Sequence, residues 1–196
     1  MSRLSTDRVV ILGGGIGALH AALGLAPRPV LVISPEPLGT GASSAWAQGG
    51  VAAAIGPGDR ASDHAADTER AGAGLVDPAI AARVTRAARG RIAALARLGT
   101  PFERDAGGGY ALSREAAHGM ARIVRVLGDQ AGAAIMKTLT EAVRAAPSVQ
   151  VIEGVAATAL ARRAGRVIGV TLRPADGAGA PVTLAAPAVL LAGGGA

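Results

Sequence analysis

Val9-Val10-Ile11-Leu12 runs without a polar residue into Gly13-Gly14-Gly15-Ile16-Gly17-Ala18, and this junction constrains the fold more than any other part of the chain. A helical apolar pattern follows at once through Leu19, Ala22, Leu23, Leu25 and Ala26. A buried parallel strand, a tight turn and a helix N-terminus read this way. Backbone N–H groups and the positive end of a helix dipole converge on such a turn, which suits a pyrophosphate. In that arrangement Gly13 makes the turn, Gly15 lets a diphosphate approach the backbone, and Ala18 lets the helix pack close to the strand. The bland alternative is an ordinary strand-to-helix turn that needs glycine for its backbone angles.

Val30-Leu31-Val32-Ile33 supplies the second strand and completes a βαβ unit over 8–34. The acidic residue that grips a ribose is expected about 20 residues beyond the first glycine. That place falls on Ser34, with Glu36 shortly after it. The turn by itself therefore leaves NAD and FAD both open.

The rest of the chain narrows the class. Hydrophobic residues make up 50% of the 196, yet there is one Trp, one Tyr and one Phe, so Ala, Val, Leu and Ile must build the core. The absence of Cys excludes disulfides, thiolate chemistry and cysteine-ligated metals, and suits a reducing, cytoplasmic setting. The first apolar run is the glycine-turn strand and lacks a secretory cleavage pattern. No uninterrupted apolar run of about 18 residues is present, so no membrane span is expected. The net charge of +6 raises the question of nucleic acid. The cations are nearly all Arg, however, and Arg83, Arg86, Arg89, Arg91 and Arg97 fit the wet face of one helix. Without aromatic platforms beside them, no nucleic-acid partner is expected.

Turn chemistry divides the remainder. A Gly/Ser-rich loop occupies 38–54, and the stretch 62–145 reads as mainly helical. Within it a short helix over 62–72 is capped by Ser62 or Asp63. A longer one starts at Asp77-Pro78 and turns Ile80, Val84, Ala87, Ile92, Leu95 and Leu98 inward before Gly99. Phe102-Glu103 and Tyr110-Ala111-Leu112 pair as short strands around Gly107-Gly108-Gly109, and helices follow over 119–127 and 130–145. Strands over 149–153, 157–162, 167–172, 182–184 and 188–191 end the chain. The first returns to the parallel sheet, the next three form an antiparallel meander, and the last is buried and runs into Gly193-Gly194-Gly195. The expected fold is α/β: a Rossmann-like domain over 1–196 with a parallel sheet and a small meander. It looks incomplete at the C-terminus, because no helix follows the final glycine turn.

Three segments carry a family resemblance. Ala42-Ser43-Ser44-Ala45-Trp46-Ala47-Gln48-Gly49-Gly50-Val51-Ala52-Ala53 resembles the flavin-embracing loop of the succinate dehydrogenase/fumarate reductase flavoprotein superfamily. Leu112-Ser113-Arg114-Glu115-Ala116-Ala117-His118, continued by Arg122-Ile123, Gly128-Asp129 and Gly132, resembles the substrate-side motif of one branch, the L-aspartate oxidases. Leu190-Leu191-Ala192-Gly193-Gly194-Gly195 resembles the second nucleotide-side strand and turn of the same flavin domain. The similarity runs through nearly all of the chain but covers only the N-terminal part of such an enzyme.

The resemblance implies FAD as cofactor, held by Gly13, Gly14, Gly15, Ile16, Gly17 and Ala18 at the diphosphate and by Ser34 or Glu36 at the ribose. It places Ser43, Ser44, Ala45, Trp46, Ala47, Gln48, Gly49 and Gly50 under the flavin, with Ala156 and Ala157 added to the cofactor side. Physics agrees at the loop, since an isoalloxazine needs backbone donors at its edge and little bulk along its face. Relatives with covalent flavin carry a histidine where Ser43 stands, so the flavin is expected to be non-covalent. Glu115 would hold a substrate ammonium or take its proton, and His118 would orient the substrate. Arg114 and Arg122 fit a carboxylate-binding role or an ordinary ion pair equally well. His20 and His64 read as structural or surface groups. Departures from the family pattern are Ala116 and Ala117 in place of two glycines, Arg125 in place of histidine, Ala131 in place of threonine, and Pro35 in place of a lysine beside the adenosine.

The implied reaction is oxidation of L-aspartate to iminoaspartate by hydride transfer to the flavin, with oxygen or fumarate as final acceptor. The product would pass to quinolinate synthase in bacterial NAD biosynthesis. Residues 1–196 alone are expected to be inactive. Two alternatives stay open: a succinate- or fumarate-type flavoprotein, and a non-catalytic dinucleotide-binding fragment.

Overall fold

The computed structural model describes residues 3–194, so Gly195 of the last glycine turn lies outside the described residues. The chain divides into two compact units, residues 1–46 with 136–196, and residues 47–135.

The first unit is organised by strands that are apolar on both faces. β2 (Val9–Leu12) and β3 (Val30–Ser34) are buried along their whole length, as parallel strands covered on both sides must be. They form the centre of a parallel sheet ordered β11-β2-β3-β7, where β7 is Val149–Glu153 and β11 is Val189–Leu191. The register sets Ile11 beside both Val32 and Leu190, and Val32 beside Val151. α1 (Ile16–Gly24) connects β2 to β3 and buries Ala18, Leu19 and Ala22.

A second sheet is ordered β1-β10-β9-β8, with β1 Arg3–Ser5, β8 Val155–Arg163, β9 Arg166–Pro174 and β10 Val182–Ala185. The three C-terminal strands form the expected antiparallel meander, and β1 joins it in parallel, with Leu4 beside Leu184. Val170 and Leu184 of this sheet share one core with Val10, Leu12, Leu31 and Ile33 of the parallel sheet. The meander thus covers one face of the nucleotide-type sheet.

The second unit contains α2 (Ala61–Ala71), α3 (Pro78–Arg97) and a three-stranded antiparallel sheet ordered β4-β6-β5. Its strands are β4 Gly50–Ala52, β5 Leu112–Ser113 and β6 Ile123–Arg125. Asp77 caps α3 as expected, its Oδ1 accepting from Ala79 N at 2.8 Å and Ile80 N at 3.2 Å. α4 (Ala131–Ala145) matches the expected last helix, with Ala131, Ile135, Leu139 and Val143 buried at every fourth position.

Four sequence-based expectations fail here. The last strand, β11, is not buried: it stands at the edge of its sheet, and Leu190 and Leu191 are exposed. The helix over 119–127 is absent, and its C-terminal half is the central strand β6. Ile123, Val124 and Val126 are all buried, so β-branched side chains and two strand partners outweigh a helical reading. The cap of α2 is Arg60, which makes no side-chain capping bond, rather than Ser62 or Asp63. In α3 the inward stripe is Ala81, Thr85, Ile92 and Leu95, whereas Ile80, Val84, Ala87 and Leu98 are exposed. Thr85 can face inward because its hydroxyl bonds back to Ala81 O at 2.9 Å. The five helix arginines are exposed as expected, and Arg89 also donates to Ala54 O at 3.2 Å. No helix among the described residues is long and apolar enough to cross a membrane.

Candidate functional site

A groove of about 860 Å³ opens in the first unit at the C-terminal ends of β2, β3 and β11. Its geometry starts at Gly13. The backbone there has φ +127°, and a Cβ would lie 2.2 Å from Ala192 O, so only glycine lets β2 turn beside the end of β11. Gly13 N donates to Ile33 O at 2.9 Å, which carries the β2–β3 pairing into the turn. A Cβ on Gly14 would sit 2.7 Å from Ser34 Oγ, so the turn lies directly on the end of β3.

Gly15 is the N-cap of α1 and brings no side chain to cap it. The first-turn N–H groups of Ile16, Gly17 and Ala18 have no helical carbonyl to bond. Ile16 N donates to Ser44 Oγ at 3.3 Å, and no acidic residue sits in the first turn. The result is a rim of backbone donors at the positive end of a helix dipole, the chemistry of an anion cradle.

Ser34, 3% exposed, and Glu36 lie at the end of β3 and line the same groove, with Ala156, Ala157 and Gly193 also on its walls. The loop beyond β3 is pinned, because Leu38 N donates to Glu153 Oε1 at 2.8 Å and Arg144 pairs with the same carboxylate at 3.1 Å. A 3-10 turn, Ser43–Trp46, then brings Ser43 and Ser44 into the groove.

The structure thus gathers Gly13, Gly14, Gly15, Ile16, Gly17, Ser34, Glu36, Ser43, Ser44, Ala156 and Ala157 around one groove. Ala18 is fully buried behind it, Ala45 and Trp46 lie in the 3-10 turn outside the lining, and Trp46 is exposed. Ala192, Gly193 and Gly194, read from the sequence as a second nucleotide-side turn, also line the groove, as does Pro35; Ala42 and Val155 line it too and were not among the expected cofactor residues.

Ala47, Gln48, Gly49 and Gly50 belong to the second unit. Ala47 O accepts from Gly132 N at 2.9 Å, and Gln48 is exposed. Gly50 opens β4, where a Cβ would lie 2.2 Å from Val124 O. Gly49 has φ +73°, and Glu115 Oε1 comes within 3.5 Å of the position its Cβ would occupy. Glu115 is therefore next to the small-residue loop, exposed and free of an ion pair among the described contacts. His118 N donates to Glu115 O at 3.0 Å, and Arg114 Nε donates to His118 O at 2.9 Å.

Beneath these residues lies a buried charge cluster. Arg122 is fully buried, its Nη2 and Nε donating to the two oxygens of Asp59 at 2.8 and 3.1 Å and its Nη1 donating to Asp67 Oδ2 at 2.7 Å. Of the two roles open to Arg122, the ion pair is the one observed. Asp67 also accepts from Gly119 N at 2.7 Å and pairs with Arg70. The Gly119 bond, ahead of the Arg122 contact, holds its carboxyl below the usual carboxylate range. His64 is buried and meets His118 edge-on at 5.4 Å. Burial, then the nearby Arg122 charge, push the His64 imidazole below its ordinary value and keep it neutral. Arg125 pairs with Glu103 at 3.5 Å, which spends part of the extra charge noted in the sequence.

A family model described as FAD binding domain matches residues 8–196. The chain belongs to the FAD-binding domain family. This FAD-binding domain is 49% identical over 98% of its length to an L-aspartate oxidase of Caulobacter vibrioides, and 45% identical over 96% to one of Agrobacterium fabrum. It spans 38% and 36% of those two relatives, a little over a third of their length. Among solved structures, Mycobacterium smegmatis Sdh1 in complex with UQ1 is matched over the whole chain with TM-score 0.88 and 28% identity, covering 35% of that protein. A quinol fumarate reductase of E. coli gives TM-score 0.90 at 23% identity, over the whole chain and 33% of the other, and shares the fold.

FAD is the cofactor of the domain, and the groove residues fit it. Gly13 and Gly14 leave no room for side chains between the turn and its neighbours, and the backbone donors at the helix N-terminus match a diphosphate. The groove volume lies within the range of small-molecule sites.

Proposed function

We propose that this FAD-binding domain serves a flavoprotein oxidoreductase that oxidises L-aspartate to iminoaspartate. The observation that carries the reading is the 45–49% identity to L-aspartate oxidases over nearly the whole chain, with Glu115 free beside the glycine loop.

A bound isoalloxazine supplies a two-electron acceptor for the hydride that leaves the substrate Cα. The chain's own residues hold and align. N–H groups of the Gly15–Ala18 segment bind the diphosphate, and Ser34 or Glu36 takes the ribose hydroxyls. Ser43 and Ser44 bring little bulk to the cofactor groove. The Glu115 carboxylate holds the substrate ammonium by charge-assisted hydrogen bonds, or accepts the proton that the nitrogen loses as the C=N bond forms. His118 orients the substrate from the same turn. Oxygen or fumarate takes the electrons onward, and quinolinate synthase is the proposed consumer of the imine.

The likeness to Sdh1 at 28% identity favours one competing reading, a flavoprotein acting on succinate or fumarate. Anaerobic mixing of the flavin-loaded protein with each substrate separates the two. L-Aspartate should bleach the flavin absorbance and succinate should leave it unchanged. Bleaching by succinate alone overturns the proposal, and a purified protein without flavin colour overturns both readings.

A further inference from the structure

The turn that carries Glu115 and His118 is held by α2, far upstream in the chain. It spans the tip of the β5–β6 hairpin, and residues 114–117 are exposed. Its base is closed by Arg122 N donating to Ser113 O at 3.1 Å. Inside it, the bonds linking Arg114, Glu115 and His118 make one hydrogen-bonded turn.

Gly119 ties this turn to α2, its N–H donating to Asp67 Oδ2 at 2.7 Å. The same oxygen accepts from Arg122 Nη1 at 2.7 Å. His64, one helical turn before Asp67 and therefore on the same face of α2, sets its ring against His118. One carboxylate oxygen thus joins a helix, the far leg of the hairpin and the residue that follows His118.

We propose that Asp67 is a positioning residue: its Oδ2, shared between Gly119 N–H and Arg122, fixes the turn that presents Glu115 and His118 to the substrate. The proposal rests on the reading of those two groups as substrate-side residues. It competes with a simpler role, in which Asp67 only neutralises the buried guanidinium. The roles separate because an asparagine keeps an acceptor oxygen where Oδ2 stands but gives up the charge.

The test compares Asp67→Ala and Asp67→Asn in the intact protein. It reads amide hydrogen exchange over residues 114–120, and kcat and KM for L-aspartate per bound flavin. In the alanine variant exchange over 114–120 should quicken about tenfold or more while α3 keeps its protection. Its kcat/KM should fall about ten- to a hundredfold, mainly through KM, as expected when a binding group is misplaced by about an ångström. Asp67→Asn should stay close to wild type in both. If the alanine variant does not accumulate folded, Asp67→Ser, too short to reach Gly119, is read in the same way.

Unchanged exchange in the alanine or serine variant overturns the proposal, as does an asparagine variant as impaired as alanine. Quickened exchange with unchanged kcat/KM also overturns it, because the turn then does not serve the substrate. If the wild-type protein leaves L-aspartate untouched, the proposed reaction falls, and the exchange comparison alone decides whether Asp67 holds the turn.

Discussion

Replacing Gly13 by alanine should damage both the fold and cofactor retention, because two independent penalties meet at one atom. The backbone sits at φ +127°, a region that residues with a Cβ rarely occupy, at a cost on the order of 1–3 kcal/mol. The added Cβ would also lie 2.2 Å from Ala192 O and 2.7 Å from Ala192 C, both backbone atoms that cannot swing aside. Forcing β2 and β11 apart to relieve this adds about 1–3 kcal/mol of overpacking. The sum, roughly 2–6 kcal/mol, is a large share of the about 5–15 kcal/mol that stabilises a typical domain. Urea unfolding followed by circular dichroism measures it: with a slope of about 2 kcal/mol per molar, the midpoint should fall by about 1–3 M. The flavin-to-protein absorbance ratio should fall with it.

Gly17→Ala is the internal control. Nothing lies within 4 Å of its Cβ position, and it lines the groove. Stability should hold or rise by up to about 1 kcal/mol through helix propensity, while FAD binds less tightly. A Gly13→Ala protein with an unchanged midpoint and full flavin content would refute the reasoning, since neither strain nor clash would then exist.

Three further outcomes follow from the second unit and its cap. Arg122→Met leaves the buried carboxylate of Asp59 without its cation and Asp67 with only Arg70, and should cost about 3–5 kcal/mol in a denaturant titration; a loss under about 1 kcal/mol contradicts the buried network. Asp77→Ala removes the two bonds that cap α3 and should cost about 1 kcal/mol, read as a lowered melting temperature. Acidification should destabilise the protein with a definite sign, because His64 and Asp67 both have lowered pKa values. The His64 contribution is present above its ordinary value of 6.5 and is lost as pH falls through the lower folded value, while that of Asp67 disappears further down, below 3.8. Melting temperatures should therefore drop from neutral pH toward about pH 5, and His64→Leu should flatten that drop; an equal slope in wild type and variant contradicts the account of His64.

What the sequence made legible and what it hid follow one physical division. Val9–Leu12, Val30–Ser34 and Gly13 declared themselves because a fully buried strand and a left-handed turn restrict residue type locally. Gly13–Gly17, Ser34, Glu36, Ser43 and Ser44 line one groove around them, and Ser44 accepts from Ile16 N, a contact that no local pattern announces. The failures are places where distant partners decide. Residues 119–127 look helical in isolation, but Ile123–Arg125 is flanked by β4 and β5, and pairing on both sides imposes extension. Arg122 finds its acids 63 and 55 positions earlier in the chain, a separation at which no local pattern can announce a pair. In α3 the larger aliphatics suggested the inner face, while the buried stripe begins with Ala81 and Thr85, residues a size-based reading passes over. β1 was missed because its three residues become a strand only through β10.

The central claim is that the glycine turn and the Ser43–Ser44 segment grip one dinucleotide, and a crystal structure of the intact protein with FAD bound tests it most directly. The diphosphate should lie within hydrogen-bond distance of backbone N–H groups in the Gly15–Ala18 segment, with a ribose at Ser34 or Glu36. A bound FAD whose diphosphate avoids that helix terminus, with the Gly13–Gly17 rim left to solvent, would contradict it.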